Sequence, residues 1–350
     1  MSYLDEALQM LRRMEEAWNQ GEKAALLMVT QVKGSSYRLP GAKMMMAEKG
    51  RMLGSLSGGC LEGDLFYYAE MAMKEGKPRL VQYDLTETEI WTLGIGCKGE
   101  MEVAILPISR DDPFWRSVKE ALSREEPLTL VLELPEGTRA LYRGGELLAW
   151  DGPGLPFPLK EILEDGYTTG TRAEVRELEG RRFYVDTMRP AERLIICGAG
   201  LDAVPVASLA ARSNFRVTIL DPRPEFNSRA RFPQSDHLVM EPEEADPKAL
   251  QESFWLIMNH FQRRDEAALR LALSARPKYV GVLGPLARTL EMLEHIGATL
   301  ESGPIRAPVG LALGAETFDE VAVSIVAELL MVRNGASGRP LHGQPKIHAV

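Results

Sequence analysis

The sequence predicts an α/β protein: a doubly wound parallel sheet in the C-terminal part, joined to an N-terminal α+β domain with glycine and cysteine residues in its loops. Three observations lead there. Strand and helix patterns alternate from residue 191 onward. A Gly-x-Gly-x-x-Ala turn, Gly198 to Ala203, stands between the first of those strands and the first helix. The N-terminal part instead mixes one amphipathic helix with apolar runs separated by glycine-rich loops.

Composition sets the bounds. A chain of 350 residues suits two or three domains, and 45% hydrophobic with 26% charged residues describes a globular protein with a sizeable core. The net charge of -9 argues against a broad nucleic-acid surface, which needs clustered Lys and Arg. The opening MSYLDEALQM lacks a basic region followed by an apolar run, so no signal peptide is expected. VAVSIVAELLMV is interrupted by Ser324 and Glu328 and is too short to span a bilayer, so no membrane insertion is expected. Three scattered cysteines make no disulfide framework, sixteen methionines do not suggest an oxidising compartment, and a cytoplasmic location follows as the expectation.

Taken in order, Leu4, Ala7, Leu8, Leu11, Met14 and Trp18 have helical spacing, and Gly21 ends the helix. AALLMVTQV reads as a buried strand. A polar loop follows, then a hairpin turning at Glu48-Lys49-Gly50. A helix is expected from Gly59 to about Met73, and RLVQYDL and EMEVAILPI are strands flanking TETEIWTLGIGCKG. Beyond 108 come one helix, DPFWRSVKEALSREE, and the strand candidates LTLVLEL, ALYRGGELLAW and RRFYVDT, with a Pro/Gly-rich break at DGPGLPFP. From 191, RLIICGAG, FRVTILD, DHLVM, FWLIMNH and KYVGVLG are successive strands. DAVPVASLAARSN, DEAALRLALSA and FDEVAVSIVAELLMV are helices among and after them. The expected division is residues 1–108, an α+β domain; 109–190, a β-rich connector; 191–334, a Rossmann-like domain; and 335–350, a polar tail.

In the C-terminal domain, Gly198 permits the turn, Gly200 lets backbone approach a pyrophosphate, and Ala203 allows close helix–strand packing. The helix start then offers free N–H groups to phosphate, while Asp202 beside it is unfavourable for an anion. Asp221 ends the second strand at a spacing suited to a ribose 2′-OH, so NAD(P) or another nucleotide is a candidate ligand. His260 and Asp265 follow a strand end where open sheets bind ligands, or they serve as loop caps. Cys197, inside a strand, reads as core.

The N-terminal loops hold the other candidates. Gly34, Ser35, Ser36 and Arg38 combine backbone donors, hydroxyls and a guanidinium, the inventory for an anion such as phosphate. Gly58 and Gly59 precede Cys60, and Gly96 precedes Cys97. A thiol in the first turn of a helix, or beside Lys98, is favoured as thiolate, and a soft thiolate suits a soft ligand or sulfur chemistry. Turn packing is the alternative. Glu62 either caps the helix that follows or faces the site.

These residues carry a resemblance. GSSYRLPGAKM, SLSGGCLE and LGIGCKGEMEV, then RLIICGAG, VTILDPRPEF with RFPQSD, YVGVLG and APVGLALGAETFDEVAVSIVAELL, are similar to the signatures of the XdhC/CoxI family in the family's order. The resemblance implies an accessory factor that binds molybdenum cofactor, protects it during sulfuration by a cysteine desulfurase, and delivers it to a xanthine dehydrogenase-type apoenzyme. It makes Cys60 and Cys97 the candidates to contact molybdenum or its sulfur, and Gly34, Ser35, Ser36 and Arg38 the candidates for the pterin phosphate. A cofactor-binding chaperone, expected as a homodimer, is favoured over a catalyst. The sequence departs from the family at three places: Leu201 stands where a histidine is usual, Asn259-His260 with Asp265 replaces a longer histidine motif, and Gly284-Pro285-Leu286 replaces Gly-Ser-Arg. An NAD(P)-dependent oxidoreductase using the C-terminal half, and a non-catalytic docking protein, are the competing readings.

Overall fold

The computed structural model describes residues 2–34, 36–84, 99–124, 126–135, 138–152 and 173–343. The chain divides into two compact units, Met1–Pro190 and Ala191–Val350.

The first unit opens with the short strand β1 (Ser2–Tyr3) and the helix α1 (Leu4–Asn19), which buries Leu4, Met10, Leu11 and Met14 along one stripe. A five-stranded antiparallel sheet follows in the order β4-β3-β2-β6-β5, built from β2 (Ala24–Gly34), β3 (Lys43–Ala47), β4 (Met52–Gly54), β5 (Arg79–Asp84) and β6 (Gly99–Ile108). Strand β2 is apolar without alternation because both its faces are covered. Leu26 and Met28 join the core that includes α1, while Ala25, Leu27 and Val29 pack with Leu65, Ala69 and Ala72 of α2 (Glu62–Glu75).

The helix α3 (Pro113–Leu122) leads into the second sheet, ordered β1-β11-β7-β8-β9 with β10 on the far side of β11. Its strands are β7 (Leu128–Leu134), β8 (Arg139–Arg143), β9 (Glu146–Asp151), β10 (Glu174–Leu178) and β11 (Arg181–Arg189). ALYRGGELLAW, one strand candidate in the sequence, is two strands. Gly144 and Gly145 both take positive φ, 55° and 87°, which makes a tight hairpin turn. Strand β10 was not expected; it forms the same kind of hairpin with β11 through Glu179 and Gly180. Leu128 and Leu130 of β7 and Tyr184 and Met188 of β11 share one core with Met10, Met14, Met45 and Trp115, so strands from the 109–190 stretch build the same core as α1 and the first sheet.

Two polar contacts tie these sheets together. Lys43 Nζ lies 2.5 Å from Asp186 Oδ2, the two side chains being 2% and 0% exposed, and Nζ also donates to the Gly41 carbonyl at 3.1 Å. Arg182 Nη2 donates to both oxygens of Glu102, at 2.9 and 3.0 Å. Glu102 further accepts from Thr30 and Gln82, beside a β-bulge in β2. Charges removed from water survive folding only when paired in this way.

The second unit is a six-stranded sheet, parallel at every pairing, in the order β14-β13-β12-β15-β16-β17. Its strands are β12 (Glu192–Cys197), β13 (Phe215–Leu220), β14 (Asp236–Leu238), β15 (Phe254–Ile257), β16 (Tyr279–Val282) and β17 (Ile305–Arg306). Leu194, Ile196, Val217 and Ile219 pack under α4 (Ala203–Arg212) and α7 (Phe318–Arg333). Ile195, Cys197, Trp255 and Val280 pack on the other face with α5 (Gln262–Ser274) and α6 (Leu286–His295). Helix α6 and the two-residue β17 are additions to the expected elements. Among the described residues, no helix is long and apolar enough to cross a membrane.

Candidate functional site

Topology brings the N-terminal loop candidates to one end of the five-stranded sheet. Gly34 at the end of β2 pairs with Gly99 at the start of β6, Asp84 at the end of β5 pairs with Glu100, and Gly54 at the end of β4 pairs with Met44. The loop after Gly34, the loop after Gly54 and the strand ends flanking residues 85–98 therefore share that end. Ser35, Gly96 and Cys97 lie outside the described residues.

Glycine is required where the second loop begins. Gly54 has φ +89°, and a Cβ there would stand 2.6 Å from the Lys43 carbonyl oxygen. Gly58 brings the two described loops together, because a Cβ on it would stand 3.4 Å from the Tyr37 ring. On the first loop, the Ser36 hydroxyl is buried and meets no hydrogen-bond partner among the described residues. Tyr37 is exposed, and Arg38 Nη2 lies 3.5 Å from Glu6 Oε1.

The second loop differs from the expectation in two ways. Its helix begins at Glu62 with Leu61 as N-cap, so Cys60 stands just before the helix and is exposed. Gly58 and Gly59, at φ +77° and +111°, are incompatible with an earlier start. The loop amides are also already engaged. Glu62 Oε1 accepts from Ser55 Oγ at 2.7 Å, Leu56 N at 3.2 Å and Ser57 N at 3.1 Å. Glu62 Oε2 accepts from Gly59 N at 2.9 Å, Leu61 N at 3.2 Å and the Ser57 hydroxyl. Gly58 N donates to Ser55 Oγ at 2.9 Å, and Leu61 N also reaches Ser57 Oγ at 2.8 Å. Burial alone raises the Glu62 pKa, but the hydrogen bonds from Ser57, Ser55 and the backbone outweigh it and bring the carboxyl down to about 2. Glu62 accepts the amide of the N-cap residue Leu61 at the helix start and, beyond the capping role, gathers the donors of the loop before it. The two serines at 55 and 57 ahead of a glycine pair and a glutamate were the available signal.

At the same sheet end, Gln31, Lys33, Gln82, Tyr83, Asp84, Glu100 and Glu102 line a polar groove of about 250 Å³. Among the described residues, no group of three or more His, Cys, Asp and Glu side chains is placed to hold a metal ion.

The glycine turn of the second unit is equally occupied. Gly198 has φ +114°, and a Cβ there would stand 2.5 Å from the Met258 carbonyl oxygen, so turn and neighbouring strand end are in contact. Ala203 is fully buried in the first turn of α4. Asp202 caps that helix through Ala203 N at 3.1 Å, and its other oxygen lies 2.7 Å from His260 Nε2. Gly200 abuts the same carboxylate. The Asp221 carboxylate is buried and accepts from Ala199 N at 2.8 Å. It also accepts from Arg223 N, Nε and Nη2 at 3.0, 2.9 and 2.7 Å. Burial raises its pKa, and the Arg223 and Ala199 hydrogen bonds bring it below the ordinary carboxylate value. Arg231 holds the Ala199 and Gly200 carbonyls at 3.0 and 3.3 Å. Asp265 binds Asn259 and Arg288 rather than His260. Cys197 is buried, and burial, with Asp265 and Asp221 nearby, pushes its thiol well above the ordinary range. Arg223, Arg231 and Arg288 were not singled out in the sequence; Arg223, two residues after Asp221, was the most legible of them.

Comparison with known proteins adds to this geometry. Residues 194–329 match the family profile described as XdhC Rossmann domain, and residues 17–84 match the one described as XdhC and CoxI family. The chain is 31% identical to a Bacillus subtilis protein named as a probable xanthine dehydrogenase subunit, over 89% of this chain and 94% of that one. It is 26% identical to the Escherichia coli molybdenum cofactor insertion chaperone PaoD, over 94% and 89% of the two chains. A crystal structure described as a xanthine dehydrogenase from Bacillus halodurans superposes with a TM-score of 0.77 at 27% identity, covering 98% of each chain.

Proposed function

This chain belongs to the XdhC/CoxI family, and we infer that it is an accessory factor: it binds molybdenum cofactor as cargo and assists its maturation and insertion into a xanthine dehydrogenase-type molybdenum hydroxylase. The relative named as an insertion chaperone supports the cargo, and the relatives named for xanthine dehydrogenase support the client. The observation that carries the reading is the shared sheet end, where the loop that bears exposed Cys60 meets, through Gly58 and the Tyr37 ring, the loop of Ser36 and Arg38. In this reading Cys60, with Cys97, offers soft sulfur to the molybdenum centre. The buried Ser36 hydroxyl, without a partner among the described residues, and Arg38 suit an anionic group such as a pterin phosphate. Gly34, Gly58 and Gly59 belong to the same loops, and Ser35 and Gly96, outside the described residues, join this site on the sequence alone.

The test is co-elution. Purified chain mixed with molybdenum cofactor retains molybdenum through gel filtration, and Cys60→Ala retains several-fold less. Equal retention by the variant removes Cys60 from the site. A cysteine desulfurase and a molybdenum hydroxylase apoenzyme are the partners this reading expects, and a homodimer the assembly. Pull-down with each purified partner and light scattering test these points.

The second unit supports a subsidiary reading as a Rossmann-like, doubly wound domain. Its strand order changes direction between β12 and β15, and helices cover both faces. NAD(P) binding there requires a ligand to compete with Asp202 at the α4 N-terminus and with Arg223 at Asp221. Fluorescence titration with NADH tests it, and no signal at millimolar cofactor removes it.

A further inference from the structure

We propose that Glu62 is a positioning residue for Cys60: its carboxylate stands inside the Ser55–Leu61 loop where an external anion would otherwise bind, and so holds the thiol outward in one frame. The proposal rests on the reading that Cys60 meets the cargo. Its geometry stands independently.

Turns built on positive-φ glycines direct successive N–H groups toward one point and form anion-binding concavities. Here that point is filled from within. Six donors converge on the two Glu62 oxygens, namely the amides of Leu56, Ser57, Gly59 and Leu61 and the hydroxyls of Ser55 and Ser57. An ionised carboxylate accepts at both oxygens and donates at neither, so it matches a ring made only of donors. The Gly58 amide is taken by Ser55. Cys60 lies between two of the anchored amides, Gly59 and Leu61, so the position of its backbone is set by the carboxylate two residues on.

Two consequences follow. The glycine-rich loop contributes sulfur to the site, and anion recognition falls to the loop of Ser36 and Arg38. Removing the Glu62 side chain, moreover, leaves a hole lined by donors, which a small carboxylate from solution can fill.

Alkylation of Cys60 by iodoacetamide, followed by peptide-resolved mass spectrometry on the full chain without cofactor, tests this. In Glu62→Ala the Cys60 rate rises at least threefold, because the frame that holds its backbone loosens. Sodium formate at tens of millimolar returns that rate toward wild type, while sodium chloride at equal ionic strength does not, and the wild-type rate ignores formate. Glu62→Gln places an NH₂ against amide donors and keeps the hole filled, so its rate rises and formate does not restore it. If Glu62→Ala does not fold, the Gln variant alone decides, and a wild-type Cys60 rate in it overturns the proposal. An unchanged Ala rate, or an Ala variant blind to formate, also overturns it. Because no cofactor is present, failure here is distinct from failure of molybdenum retention.

Discussion

Two glycine turns that stand ahead of helices, at Gly58-Gly59 and at Gly198-Gly200, invite the same reading and are filled in different ways. Around Gly58 and Gly59, the Glu62 carboxylate gathers loop amides and leaves a thiol exposed outside the ring. Around Gly198 and Gly200, Asp202 and Asp221 take the helix start and the turn amide, and the cysteine beside them is buried. A glycine turn ahead of a helix is thus not evidence of a vacant anion site, because the chain supplies its own carboxylate in both. What separates the two is what remains at the surface. The first region keeps a soft nucleophile, and the second keeps Arg223 stacked over Phe226 and His260 paired to an aspartate.

The largest effect is expected beneath the first region. Asp186→Ala takes the carboxylate from the buried Lys43 ammonium, which keeps the Gly41 carbonyl, and costs about 3–5 kcal/mol, read by urea denaturation. A loss under 1 kcal/mol shows that the remaining partners or water suffice for Lys43. Next, Gly198→Ala combines a forbidden φ with a clash on the Met258 carbonyl, and costs roughly 3 kcal/mol. Its counterpart Gly59→Ala meets nothing within 4 Å and costs about 1–2 kcal/mol from backbone strain alone. Equal losses erase the difference in packing between the turns.

Acid weakens both turns, since the Asp221 carboxyl also lies below its ordinary value, and at the first turn the effect is read through Glu62. The folded Glu62 carboxyl, at about 2, lies below its ordinary 4.5, because the hydrogen bonds from Ser57, Ser55 and backbone amides overcome the effect of burial. Its stabilisation is therefore complete above about pH 4.5 and is lost as pH falls toward 2. Thermal melts of Glu62→Ala show a flatter acid limb over that window than wild type; parallel limbs contradict it. The smallest effect is expected at His260, whose side chain is 58% exposed. His260→Ala costs about 0.5 kcal/mol or less at neutral pH by the same denaturation assay.

The periodic parts of the fold were legible from local pattern. The stripe of Leu4, Leu11 and Met14, the buried run AALLMV and the alternation after 191 each encode burial directly. Elements set by partners were not. Strand β10 alternates poorly and exists by pairing with β11, and β17 is two residues on a sheet edge. The site divided in the same way. The place of Cys60 in a glycine loop ahead of a helix was legible from local pattern, whereas its exposure and the six donors on Glu62 required the loop to close in three dimensions. Asp186 lies far from Lys43 in sequence, so nothing near either residue announces their pairing.

The comparison between the two turns is tested most directly by molybdenum cofactor retention, measured side by side for wild type, Cys60→Ala and Arg223→Ala. Cys60→Ala is expected to lose most of the bound molybdenum, while Arg223→Ala keeps the wild-type amount. Loss in Arg223→Ala with full retention in Cys60→Ala would place cargo binding at the second turn and contradict the account.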